Sequence, residues 1–301
     1  MAEEIYFSII IPTFNRLKEL NNCLKSLELQ TYKNFEVIIV DDKSSTDISA
    51  TLNTEKFSFL VYIYRNLKNM GAAKSRNIGI ENSHYNWIAF LDDDDIWTPN
   101  KLFVLSQAIE GNIEVDFIYH NAEIIMVNEN SRYITKREIP KEYFQKMLIK
   151  NLIGGTSMVI VKNTLFDKYG KFDEKLRSIE DYELWIRLSK HFKPLYINQP
   201  LTKYFYRTDC KSLNKDIESN LKSMAYIRNK YKDDIKKLSK KQMSEKYEYE
   251  FSSTAHRLLL NYNRTLSSKY YLKAFLVRLK VKFLIASIFS LLYPKLIFKL
   301  R

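Results

Sequence analysis

Cysteine, glycine and proline are all scarce in this 301-residue chain, with 2, 6 and 6 copies. The two cysteines, Cys23 and Cys210, form no disulfide framework, and Cys23 falls on the apolar side of a helical stretch, where it reads as core. So few glycines and prolines argue against long disordered linkers. No Gly-rich phosphate loop and no Ser-His-Asp ordering occurs. The four histidines, His84, His120, His191 and His256, lack metal-ligand spacing and read as structural or surface groups. No signal peptide precedes the first strand-like run, so a reducing, cytoplasmic setting is expected.

Acid is missing from one end of the chain. Residues 201–301 hold 23 of the 48 basic side chains and only 8 of the 35 acidic ones, so the whole of the +13 excess arises there. From Lys269 to Arg301 there are eight basic residues and no acid, interleaved with Leu, Ile, Phe and Tyr. The uncharged stretch Phe283–Pro294 has 12 residues, fewer than the roughly 20 that span a bilayer. An amphipathic helix lying among anionic headgroups fits this pattern, and the other reading is a core helix with snorkelling lysines. No nucleic-acid module surrounds the charge, so nucleic acid is not an expected partner.

What is abundant is apolar: 46% of residues are hydrophobic, enough for a sizeable core. "YFSIIIP" (6–12), "FEVIIV" (35–40), "FLVYIY" (59–64) and "WIAFL" (87–91) read as buried strands. Helical stretches lie between them, with Leu17, Leu20, Leu24 and Leu27 on one face of the first. Alternation of this kind predicts a parallel sheet covered on both faces, binding its ligand beyond the strands' carboxyl ends. The residues after those ends are Pro12 to Arg16, Asp41-Asp42, Arg65-Asn66 and Asp92 to Asp95. Polar groups therefore collect at a single edge. Later, residues 117–127 and 156–161 read as strands, and Asp181–Phe192 as an amphipathic helix.

Asp92 to Asp95 are four consecutive carboxylates between apolar runs. Carboxylates crowded at a buried edge raise each other's pKa unless a cation neutralises them. Hard divalent ions take oxygen ligands and keep room for substrate phosphates. The run therefore reads as a Mg²⁺ or Mn²⁺ site holding a phosphorylated ligand, with Asp95 capping the next segment.

The ordered segments "SIIIPTFNR", "VIIVDDKSSTD", "NMGAAKSRNIGI", "WIAFLDDDDIW" and "GKFDEKLRSIEDYELWIRL" resemble the family-2 inverting glycosyltransferases of GT-A fold, over about residues 6–212. The resemblance implies an α/β, Rossmann-like domain with a mainly parallel mixed sheet over 1–212, and a helical C-terminal region over 213–301. It implies a UDP-sugar donor, bordered by Pro12, Thr13, Asn15 and Arg16, with Asp42 accepting from the uracil N3–H. Asn69, Gly71, Arg76 and Asn77 match the next donor motif, with Ser75 in place of the usual Ala. Asp92 falls at the ribose, Asp93 beside it, and Asp94 at the metal. Asp181 is implied as the general base, with Glu180, Gly155 and Arg187 on the acceptor side. "YFYRTDCKSL" (204–213) resembles the closing motif, but Asp209 replaces the expected histidine as third metal ligand, with Arg207 and Lys211 nearby for phosphate.

The combined expectation is a metal-dependent transferase, peripheral at the inner face of the cell membrane. It would pass one sugar to a saccharide acceptor, lipid-linked by family analogy, during synthesis of surface polysaccharide such as O-antigen, capsule or lipooligosaccharide. A nucleotide-sugar-forming nucleotidyltransferase would be expected to carry a Gly-rich basic loop where "IPTFNR" stands. A non-enzymatic membrane or nucleic-acid adaptor would have no use for Asp94 and Asp181.

Overall fold

The computed structural model describes residues 4–206, 214–294 and Ile297. They divide into two compact units: Met1–Ile124 with Ile134–Ile139 and Ile153–Phe205, and Ile125–Tyr133 with Pro140–Leu152 and Tyr206–Arg301. The expected division at 212/213 falls outside the described residues. Two stretches far upstream in sequence belong to the second unit, which a linear reading of charge does not reveal.

In the first unit, β1 (Phe7–Thr13), α1 (Leu17–Glu28), β2 (Phe35–Asp41), α2 (Ile48–Thr51), β3 (Leu60–Arg65), α3 (Ala72–Glu81) and β4 (Trp87–Phe90) succeed one another in chain order. The four strands are parallel in the spatial order β3-β2-β1-β4, as the alternation predicts. Ile9, Ile10 and Ile11 are fully buried on both faces of β1, which explains a continuous apolar run rather than an alternating one. Leu20, Cys23, Leu24 and Leu27 of α1 enter the core, Cys23 as expected. On α3, a Cβ at Gly79 would stand 2.3 Å from Ile10 Cγ2, so glycine sets how closely this helix approaches the sheet.

Beyond β4 come β5 (Ile96–Trp97), α4 (Lys101–Glu110), β6 (Phe117–Met126), β7 (Ser131–Ile134), α5 (Tyr143–Ile149), β8 (Val159–Lys162), α6 (Asn163–Tyr169), α7 (Glu180–Leu188) and β9 (Pro194–Tyr206). They extend the sheet to β3-β2-β1-β4-β8-β6-β9-β5, with β7 beside β6 and β8 antiparallel to β4 and β6. The strand expected from Thr156 opens with a 3₁₀ turn, Thr156–Met158. β9 escapes a sequence reading because Pro200 interrupts it, and proline belongs at sheet edges. Most of β9 is such an edge, since β5 pairs with only Lys203 and Thr202.

The connection from β4 to β5 bends the sheet. In a flat sheet the four intervening spacings would separate those strands by about 19 Å. The Asp92–Asp95 segment is instead folded into a turn, with the Asp95 N–H donating to the Asp92 carbonyl at 3.0 Å. A chain this short and this bent reaches β5 only because the sheet curls on itself. The acidic run therefore lies across the mouth of the curl.

Besides α5 and most of β7, the second unit contains α8 (Asn214–Lys230), α9 (Lys232–Ile235), α10 (Lys240–Leu260), α11 (Arg264–Arg278) and α12 (Val281–Leu292). A capping box between Ser239 and Gln242 starts α10. α10 packs on α11, and α11 on α12. Small residues make the second contact, with Ser268 and Ser287 hydroxyls 2.9 Å apart. α12 buries Phe283, Ser287 and Ser290 and leaves Val281, Ile285, Ile288 and Leu292 exposed.

Candidate active site

The carboxyl ends of β1, β2 and β4 open into one cleft of about 370 Å³. Pro12, Thr13, Phe14 and Arg16 line it after β1, Asp42 after β2, and Asp92, Asp93 and Asp94 after β4. Ala72, Ser75 and Arg76 face it from α3, and Tyr204 from β9. Eight residues singled out in the sequence therefore share one cavity: Pro12, Thr13, Arg16, Asp42, Arg76, Asp92, Asp93 and Asp94.

Asp41 and Asp42 divide their work. Asp41 makes a turn, its Oδ1 accepting the Ser44 N–H at 2.8 Å and its Oδ2 pairing with Arg65 at 2.9 Å. Asp42 accepts from Asn66 Nδ2 and the Met70 N–H on Oδ1, both at 2.7 Å, and from the Gly71 N–H on Oδ2 at 2.8 Å. Oδ1 thus has both lone pairs engaged, while Oδ2 retains one for an incoming donor. Gly71 adopts φ 90° to deliver this amide, and a Cβ there would stand 2.6 Å from Arg177 Nη1.

Each aspartate of the run points differently. Asp92 accepts from Arg76 Nη2 at 2.6 Å and from the Thr156 hydroxyl at 3.3 Å, while its N–H donates to Ser157 Oγ at 2.9 Å. Asp93 accepts from Thr13 Oγ1 at 2.7 Å; burial pushes its carboxyl up to about 6, against the pull of Arg16 and Thr13. Asp94 pairs with Arg16 at 2.6 Å and is also raised, by burial first. Asp95 corrects an expectation, for it caps no helix. It turns inward to the Ser157 hydroxyl, where burial and then the Asp92 charge push its carboxyl well up. Beneath it the fully buried Lys101 donates to the Ser157 carbonyl at 2.8 Å and sits 3.8 Å from the centre of the Trp97 ring.

Arg76 joins the two acidic centres. Its Nη2 holds Asp92, and its Nη1 donates to Glu180 Oε1 at 2.7 Å. Burial alone would lower its pKa, but Asp92 and Glu180 outweigh that and keep the guanidinium charged. Glu180 and Asp181 begin α7, where the helix dipole favours anions. Asp181 is half-buried; its Oδ1 accepts the Tyr182 N–H at 2.7 Å, while its Oδ2 has no protein partner among the described residues. Burial, then the Glu180 charge, pushes this carboxyl up to about 7. Ile179 just before them is left-handed at φ 53°, a costly state for a β-branched residue, and it sets the direction in which the acidic pair leaves the loop.

Other expected residues lie elsewhere. Asn15, at φ 55°, accepts the Ser45 N–H at 2.7 Å and so organises the loop after β2. Asn69 is exposed and does not line the cleft. Gly155 belongs to the turn into β8, its carbonyl accepting the Met158 N–H. Arg187 corrects the acceptor-side expectation. Its guanidinium donates to the carbonyls of Tyr169, Gly170 and Lys171 and to Glu183, six residues along α7 from the base candidate, so it holds a loop. Asp209, Arg207 and Lys211 lie outside the described residues. Sequence reasoning missed Lys101, Thr156 and Ser157. The hydroxyl pair after Gly154-Gly155 carried a signal, being two donors opposite four carboxylates, whereas Lys101 carried none.

Among the described residues no three Asp, Glu, His or Cys side chains converge as a metal cage. The donor set nevertheless suits a hard cation: Asp93 and Asp94 offer carboxylate oxygens at the cleft and already bind the cationic Arg16 between them. A magnesium-type ion needs only one or two carboxylates when phosphate oxygens supply the rest.

The sequence model described as "Glycosyl transferase family 2" matches residues 8–170. The chain belongs to this family. A glycosyltransferase of Haemophilus influenzae is 37% identical over 297 residues, 98% of each chain. The Escherichia coli enzyme WfgD, named as a UDP-Glc:alpha-D-GlcNAc-diphosphoundecaprenol beta-1,3-glucosyltransferase, is 31% identical over 222 residues, 73% of this chain and 84% of its own. Among solved structures, S. aureus TarS 1–349 in complex with UDP-GlcNAc superposes with a TM-score of 0.56 at 16% identity, over 95% of this chain and 80% of that one. This family-2 glycosyltransferase thus has the α/β GT-A fold that the resemblance implied.

Proposed function

We propose that this family-2 glycosyltransferase moves a sugar, with inversion, from a UDP-sugar to a saccharide acceptor. The observation that supports the reading is the bridge through Arg76, which ties Glu180, the neighbour of the raised, half-buried Asp181 carboxyl, to Asp92 of the cleft. Asp42 Oδ2 keeps the lone pair that a uracil N3–H requires, and Asp92, which lines the same cleft, would take the ribose hydroxyls. Asp181 removes the acceptor hydroxyl proton as that oxygen bonds to the anomeric carbon, and the bond from that carbon to the diphosphate breaks. One displacement with one base needs no covalent intermediate, so the configuration inverts. Asp94, with Asp93 beside it, would hold the divalent cation, which when bound neutralises charge on the leaving diphosphate. Support for the donor comes from the TarS complex, and for the acceptor class from the diphosphoundecaprenol in WfgD's name.

The test is calorimetry with UDP followed by product analysis over a panel of UDP-sugars. Asp42→Asn places an amide donor where the uracil needs an acceptor and is expected to weaken UDP binding by at least about tenfold. Wild-type protein that absorbs no UDP, or that yields product with retained configuration, removes this reading.

The same proposal puts the acceptor at a membrane surface. No helix among the described residues is long and apolar enough to cross a membrane. Along α12, Val281, Ile285, Ile288 and Leu292 form one exposed apolar stripe, and no acid occurs between 269 and 301. Such a face suits an anionic lipid interface. The protein is expected to float with phosphatidylglycerol vesicles and the Ile285→Glu/Ile288→Glu variant to stay behind. Equal flotation of the two would assign the contact elsewhere.

A further inference from the structure

Arg16 occupies an unusual place for a donor-binding arginine. A single nitrogen, Nη1, bridges two carboxylates, at 3.1 Å from Asp93 Oδ1 and 2.6 Å from Asp94 Oδ2. The guanidinium thus acts there as a point cation rather than as a fork. Its Nε and Nη2 have no protein partner among the described residues, and its side chain is 51% exposed. Half of it is open to solvent, whereas Asp93 is fixed by the Thr13 hydroxyl. A half-exposed cation therefore sits between one buried, fixed carboxylate, Asp93, and one that is 39% exposed, Asp94.

We infer that Arg16 is an exchangeable counter-ion, which competes with the divalent cation for Asp94 Oδ2 and moves to the diphosphate when that cation binds. The inference rests on the cation assignment in the proposed function and adds a residue that opposes it. Physically, a divalent cation about 2.1 Å from Asp94 Oδ2 and a guanidinium nitrogen 2.6 Å from it repel each other, so each weakens the other's hold and the two compete. Without a cation at the acidic corner Asp93 and Asp94 would repel each other, since Arg76 already pairs with Asp92. Arg16 fills it until a better cation arrives. Once displaced, its fork reaches phosphate oxygens with the bidentate geometry that arginine favours.

The experiment is Mn²⁺ titration of the donor-free full chain, monitored by the electron paramagnetic resonance of free Mn²⁺, with UDP binding measured separately. Arg16→Gln is expected to bind Mn²⁺ about two- to fivefold more tightly than wild type, the scale of a partly exposed ion pair. The same variant should bind UDP more weakly, so the two affinities move in opposite directions. Arg16→Lys keeps the charge but is too short to bridge both carboxylates, and its Mn²⁺ affinity should fall between the other two. Unchanged Mn²⁺ affinity in Arg16→Gln overturns the inference. So does an Arg16→Lys chain identical to wild type, which would reduce the effect to long-range charge, and so does absence of Mn²⁺ binding in every chain. Sugar transfer that persists alongside any of these outcomes leaves the transfer reading standing and removes only the role of Arg16.

Discussion

Asp181→Asn is expected to retain UDP binding and lose about 10³-fold in transfer to acceptor, the usual worth of a positioned general base. The wild-type enzyme should show an acid limb near pH 7, because its carboxyl is pushed up to about 7 and only the ionised form accepts a proton. Stability should respond in the opposite sense. A carboxyl whose folded pKa exceeds the unfolded value of about 3.9 binds its proton more readily in the folded chain. That stabilisation is complete below about pH 4 and is lost as pH rises to about 7. Asparagine cannot ionise, so the variant should escape this decline and be more stable than wild type at pH 8, by about 1–2 kcal/mol after discounting for partial exposure. Urea denaturation at pH 5 and pH 8, beside product formation, checks both halves. Turnover like that of wild type would move the base to another residue.

Removing the arginine between the two acidic centres should be more damaging to the fold. Arg76 is buried, with its side chain 6% exposed, and its partners Asp92 and Glu180 are 27% and 14% exposed. Arg76→Met leaves both carboxylates without their cation and is expected to cost about 3 kcal/mol, as for other broken buried pairs. The loss also reaches the base. Arg76 is one of the charges holding the Asp181 carboxyl down, so the acid limb of the remaining activity should move alkaline by about one pH unit. Arg76→Lys keeps a charge but contacts only one partner at a time, and should recover part of the stability and bring the limb part of the way back. A pH profile that keeps its wild-type midpoint in Arg76→Met would show that Arg76 acts on the fold alone.

Much of this was legible in the chain before any coordinates. The four parallel strands follow from unbroken apolar runs such as "SIIIP", since a strand buried on both faces has no polar side to alternate. The convergence of Thr13, Arg16, Asp42 and Asp92 comes with them, because parallel strands in one sheet end at one edge. The order of the five motifs was enough for the family resemblance as well. β9 was not legible, because Pro200 and its half-exposed side chains resemble a loop until β6 supplies a partner. Nor were the second unit's bounds, which join residues 125–133 and 140–152 to helices more than fifty positions later.

Local sequence thus dictated which groups reach the cleft, since strand period and chain direction place a side chain without reference to distant residues. It could not dictate which partner each group takes there. Asp94 on Arg16, Asp95 on Ser157, Glu180 on Arg76 and Arg187 on its own loop are choices among charges brought together by folding. Coulomb energy and burial depend on separations in space, and those exist only once the sheet has curled.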